Sequence, residues 1–169
     1  MKAFYAEEMI TGNGIEENCY LLVDEGKIIN IRDNIADHIE VTTFEDAIIA
    51  PGYIDIHTHG ALGYEPGFGD KTGLKDWCDF KMEHGVTGFL PSTTSVPLEK
   101  LKNAAKSIRD LINTPEVNNI LGMQMEGPFF SEGKKIGAQN PEHVLDKFPE
   151  AVRDFMKENS DIISYLAID

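Results

Sequence analysis

Two imidazoles stand one residue apart in the stretch Pro51-Gly52-Tyr53-Ile54-Asp55-Ile56-His57-Thr58-His59-Gly60, where an apolar run opened by Pro-Gly ends in His57 and His59. Residues two apart on a strand project to the same side. The two rings therefore converge if the extended backbone persists that far, and a pair of neutral imidazoles can grip one divalent cation. By the same count Asp55 falls on their face. A lone histidine is more often a solvated or packed side chain, so it is the spacing at a strand end that points to a ligand role.

A second constellation lies between Gly122 and Pro141. Glu126 ends the apolar run Ile120 to Met125, and Gly127-Pro128 then stops the strand. A carboxylate there can be an ordinary solvated strand end. Beside the histidine pair it becomes a third ligand for a zinc-like or iron-like ion. Farther on, Lys134, Lys135, Gly137, Gln139 and Asn140 precede Pro141. They offer positive charge, a flexible backbone and two side-chain amides, in a loop that carries specificity or is merely a surface turn.

The elements that must position these groups fall into two textures. Residues 1–50 read as short strands, with candidates Cys19–Val23, Lys27–Ile31 and Ala47–Ile49. Turn residues Gly12-Asn13-Gly14 and Asp24-Glu25-Gly26 separate them. This predicts a small β-rich domain segment. From 51 to 169 strand-like runs alternate with helical patterns. The strands are expected at Tyr53–Ile56, Val86–Leu90, Ile120–Met125 and Ile162–Ile168. Leu98, Leu101, Ala105, Ile108 and Ile112 form one helix face. Leu74, Trp77, Cys78 and Met82 form another, and Val152, Phe155 and Met156 a third, after Pro149. Such alternation implies an α/β fold with parallel strands, whose sites lie at the C-terminal strand ends. His57, His59 and Glu126 are all predicted at that edge.

With 15 basic and 29 acidic residues the net charge is −14. That surface repels nucleic acid and anionic membrane, while a local site can still take a small anion. The expected setting is cytoplasmic, since the first residues lack a signal-peptide pattern and no apolar run is long enough to span a bilayer. Cys19 and Cys78 have no metal-binding spacing and read as buried hydrophobes. Of the other histidines, His38 lies in the β-rich part, His84 precedes Gly85 at a predicted helix end, and His143 follows the Gly137–Pro141 loop.

The segment "APGYIDIHTHG" resembles the first-strand signature of the amidohydrolase superfamily. Followed by "GVTGFLPSTTS", "MEGPFF" and "GAQNP", it resembles the N-acetylglucosamine-6-phosphate deacetylase family along nearly the whole chain. The resemblance implies a (β/α)8 barrel, of which this chain holds the first half, about four βα units, preceded by a small β-sandwich segment. It implies hydrolysis of the N-acetyl group of N-acetylglucosamine 6-phosphate, with one or two divalent ions, zinc or iron. Glu126 matches the family's principal metal-binding glutamate. His57 and His59 match the pair that holds a second metal in some members. Ala138 and Gln139 match positions that contact the sugar, and Ile136 reads as an insertion before them. The general-base aspartate, two further metal-binding histidines and the phosphate-binding residues are expected beyond Asp169. The chain is therefore expected to be an N-terminal piece with little activity alone, from a protein that is a homodimer when complete. Two alternatives stay open: another metal-dependent amidohydrolase acting on a cyclic amide or N-acyl sugar, and a non-catalytic half-barrel binding module.

Overall fold

The computed structural model describes residues 1–112, 114–130, 136–145 and 149–168. The chain divides into two units, Met1–Pro51 and Gly52–Asp169.

The first unit is one four-stranded sheet. Its strands are β1 (Lys2–Thr11), β2 (Gly14–Asp24), β3 (Lys27–Arg32) and β4 (Glu40–Ile49), in the order β3-β2-β1-β4. The hairpins β1–β2 and β2–β3 are antiparallel, and β4 joins β1 in parallel. Asp24 faces Lys27 across the second hairpin, and the two residues between them, Glu25 and Gly26, have φ of 48° and 75°. Positive φ at both centres is the type I′ turn that matches strand twist. Ala3, Ala6, Met9, Cys19 and Leu22 are buried. The sequence pattern misses β1, because Glu7-Glu8 interrupts its alternation.

The second unit carries β5 (Tyr53–Thr58), β6 (Val86–Thr93), β7 (Met123–Glu126) and β8 (Ile163–Ala167), all parallel and ordered as in sequence. The crossovers hold α1 (Lys71–Glu83), α2 (Leu98–Ile112) and α3 (Glu150–Glu158). The sheet is open, with β5 and β8 at its edges. Asp70 caps α1 by accepting from the Thr72 and Gly73 amides at 3.0 and 3.1 Å. His84 ends the helix, its ring Nδ1 2.8 Å from the Phe80 carbonyl. One apolar core joins Leu74, Trp77 and Cys78 of α1, Leu101 and Ile108 of α2, and Phe155 of α3 to Phe89, Met123 and Met125 of the strands. Burial pushes the Cys78 thiol up to about 12, so it packs as an apolar group. The other sheet face leaves Ile54, Ile56, Leu121 and Tyr165 between 50% and 57% exposed.

Two expectations change. The third parallel strand starts at Met123 rather than Ile120, because Gly122 takes φ 147° and Ile120 makes only an isolated bridge to Phe89. Met82, expected on the packed face of α1, is 44% exposed.

Candidate metal centre

Strand β5 persists through Thr58, so His57 ends within it and His59 lies one residue beyond. Its register with β6 is uneven: Asp55 opposes Phe89, whereas Thr58 opposes Pro91. Three steps on β5 against two on β6 mark a bulge, which reverses the side on which later residues project. Asp55 and Thr58 accordingly both meet Lys81 of α1, at 2.6 and 3.1 Å. His57 and His59 turn instead toward Glu126. The strict alternation that put Asp55 with the histidines fails at this bulge, and Asp55 is an ion-pair partner of the helix layer. Burial alone would raise its carboxyl, but the Lys81 ammonium and the His57 amide outweigh that and hold it below the usual carboxylate value.

Glu126 is the last residue of β7, ahead of a cis Gly127–Pro128 peptide. Met123 and Met125 enter the core, so the alternate residues Gln124 and Glu126 project to the opposite face. There, Glu126 Oε2 lies 3.0 Å from His59 Nε2 and 3.8 Å from His57 Nε2. The two imidazole Nε2 atoms are 3.1 Å apart, their rings edge to face. Among the described residues these three form the one group of His, Cys, Asp or Glu side chains able to share a metal ion.

The donor chemistry tests whether a cation fits. His59 Nδ1 sits 3.1 Å from the Ser92 carbonyl. A carbonyl only accepts, so this network assigns the hydrogen to Nδ1 and leaves a lone pair on Nε2 of the neutral ring. That lone pair then faces a carboxylate oxygen and another imidazole nitrogen, an arrangement that needs a proton or a cation between the groups. Four-coordinate zinc, with bonds of about 2.0–2.1 Å, sets its ligand atoms roughly 3.3 Å apart. The observed 3.0, 3.1 and 3.8 Å bracket that spacing. The histidine side chains are 46% and 40% exposed, which leaves room for a further ligand, as catalytic metal sites require. The donor set therefore fits a divalent ion, and the Ser92 carbonyl supplies the outer hydrogen bond that such histidines use.

The sugar-loop candidates sit at the same sheet edge. Gln139 is buried, and its Oε1 accepts from the Ser95 amide, just past β6, at 2.6 Å. Ala138 beside it is exposed. Lys134 and Lys135 lie outside the described residues. His143 falls in a 3₁₀ turn, Pro141–His143. A small cavity adjoins His59, lined by Glu65, Pro66, Ser92, Thr93 and Val96.

Sequence reasoning missed Ser92 and Lys81. Ser92 Oγ accepts from the Thr58 amide at 2.9 Å, besides the contact of its carbonyl with His59. Its place in the "LPSTTS" run was the available signal. Lys81 carries none, since a lysine on an amphipathic helix reads as solvated.

No protein-family model matches the chain. In sequence it is similar to the N-acetylglucosamine-6-phosphate deacetylase of Haemophilus influenzae, at 34% identity over 123 residues, which cover 71% of this chain and 31% of that protein. It is 33% identical over 146 residues to the Danio rerio protein of the same name, covering 81% of this chain and 35% of the relative. In structure it matches the N-acetylglucosamine-6-phosphate deacetylase from Pasteurella multocida with a TM-score of 0.86 and 25% identity, over 99% of this chain and 44% of that one. The chain thus spans less than half the length of each protein it matches here. Together with the histidine pair and Glu126 at one sheet edge, these likenesses make the chain similar, over most of its length, to part of the N-acetylglucosamine-6-phosphate deacetylases.

Proposed function

We propose that this chain supplies the first metal-binding strands of a deacetylase that hydrolyses N-acetylglucosamine 6-phosphate to glucosamine 6-phosphate and acetate. The observation that carries the reading is the convergence of His57, His59 and Glu126, with separations that suit one divalent ion. Bound there, zinc or iron supplies Lewis acidity toward the amide carbonyl and toward water. Glu126 and the histidines act as holders. Glu126, once engaged as a ligand, does not shuttle protons, and Asp55 is committed to Lys81. A general base must therefore come from elsewhere in the complete protein, as the family resemblance implies. Ala138 and Gln139 would meet the sugar, with Gln139 fixed through Ser95.

In this reading residues 51–169 are the first part of a (β/α)8 barrel, and residues 1–50 are a segment of a smaller β-sandwich domain. The complete protein would be a homodimer that takes a small phosphorylated amino sugar, with neither nucleic acid nor membrane as partner. The exposed inner face of the second unit suits such a barrel, because Ile54, Ile56 and Leu121 would become its lining.

The test is a chimera in which this chain replaces the matching portion of the Haemophilus influenzae relative. It should release acetate from N-acetylglucosamine 6-phosphate in preference to the unphosphorylated sugar or a cyclic ureide, and Glu126→Gln should abolish that release. A folded, metal-loaded chimera that leaves the phosphorylated sugar intact would overturn the substrate assignment. The isolated chain with added zinc or iron should show little turnover. Robust hydrolysis by it would refute the need for a base from outside these residues.

A further inference from the structure

The bulge in β5 decides whether the histidines meet Glu126, so whatever holds the bulge governs the metal centre. Lys81 Nζ reaches over from α1 to Asp55 Oδ2 at 2.6 Å and to Thr58 Oγ1 at 3.1 Å. These residues flank the bulge, one on each side of Ile56-His57. The same Asp55 carboxylate accepts the His57 amide through Oδ1 at 3.2 Å. Across the strand, Ser92 Oγ takes the Thr58 amide. The two irregular residues are thus tied at both ends, and the tie from below passes through a single ammonium.

Packing does not explain this lysine. Leu74, Trp77 and Cys78 already bury α1 against the sheet. Lys81 adds a charge whose side chain is 13% exposed and whose Nζ lies 5.9 Å above the centroids of the Trp77 and Phe89 rings. Taking an ammonium that far out of water is costly, and a buried ion pair is seldom the most stable solution for a core. What the pair does provide is direction. A cation bonded at once to Asp55 and Thr58 requires both to face the helix layer, which leaves His57 and His59 to face the other way.

We propose that Lys81 is a positioning residue for the metal centre, acting through the β5 bulge to set the two imidazoles against Glu126. This rests on the metal-site reading above and extends it to a residue with no contact to the ion. Outer-shell groups that orient metal ligands typically change affinity by about 10–100-fold when lost.

The experiment titrates Co²⁺ into the 169-residue chain, read by its visible d–d absorption, with Zn²⁺ affinity taken by competition against a chromophoric chelator. Lys81→Met should weaken both metals about ten-fold or more and alter the cobalt spectrum, while Lys81→Arg should keep the wild-type spectrum. A second variant, Lys81→Met with Asp55→Asn, removes both charges, so that no buried charge is left to unfold the chain. It too should show the weakened affinity and altered spectrum. Wild-type affinity and spectrum in either methionine variant would overturn the role of Lys81 while leaving the metal site standing. Absence of metal binding by the wild-type chain would overturn both.

Discussion

Replacing Gln124 by methionine should make the free chain more stable. Gln124 has no exposed surface, and neither its Oε1 nor its Nε2 has a hydrogen-bond partner among the described residues. It opposes Ser92 of β6 and stands two residues before Glu126, in the layer just beneath the metal ligands. A buried polar group left unpaired costs about 1–3 kcal/mol, and methionine fills a similar volume without that cost. At about 2.1 cal/mol/K per residue of unfolding entropy, a unit of roughly 120 residues gains about 4 °C in Tm for each kcal/mol. Gln124→Met should therefore raise the Tm of the metal-free chain by about 4–12 °C and move the urea midpoint upward with an unchanged slope. Circular dichroism reads both. A Tm lowered by several degrees would show that the amide is satisfied in the folded chain, and the description of this layer would be wrong. The gain also bears on function, because a buried amide unpaired among the described residues, in the strand that carries Glu126, is the kind of local inconsistency expected near a working site.

Other outcomes follow from the core and the surface charges. Phe89 is fully buried, with its ring 5.0 Å from that of Trp77, so Phe89→Ala should cost about 3–5 kcal/mol. Met82→Ala, at a half-exposed position, should stay within about 0.5 kcal/mol in the same urea series. Lys71 and Lys106 hold Asp110 at about 2, and Arg109 holds Asp161 below the usual carboxylate value. Each binds a proton less readily folded than unfolded, so its stabilisation is present above the ordinary carboxylate pKa and is lost as pH falls through the folded value. Melts taken between pH 5 and pH 2 should show this loss, and Asp110→Asn should flatten it. Because Asp161 is exposed and Asp110 is partly so, added salt should shrink the effect.

The parts of this fold that were legible in the sequence are those set by local periodicity. The faces of α1, α2 and α3 follow from apolar residues three and four apart, with the exposed Met82 of α1 the exception. The histidine pair and Glu126 were readable because each closes an apolar run before a glycine. What escaped depends on pairing between segments distant in sequence. The bulge that turns Asp55 away from the histidines exists only in the register of β5 against β6. Lys81 gains its meaning from a carboxylate 26 residues away. Strand β1 hid behind Glu7 and Glu8, whose charges break the alternation while its ladder with β2 holds it extended.

Zinc titration of the purified chain, in competition with a chelator of known affinity, probes the metal centre most directly. Stoichiometric zinc binding is expected, with His59→Ala and Glu126→Gln each losing it while keeping the wild-type circular dichroism spectrum. Binding that survives Glu126→Gln unchanged, or no zinc uptake by the wild-type chain, would contradict the convergence of these three side chains on a shared cation.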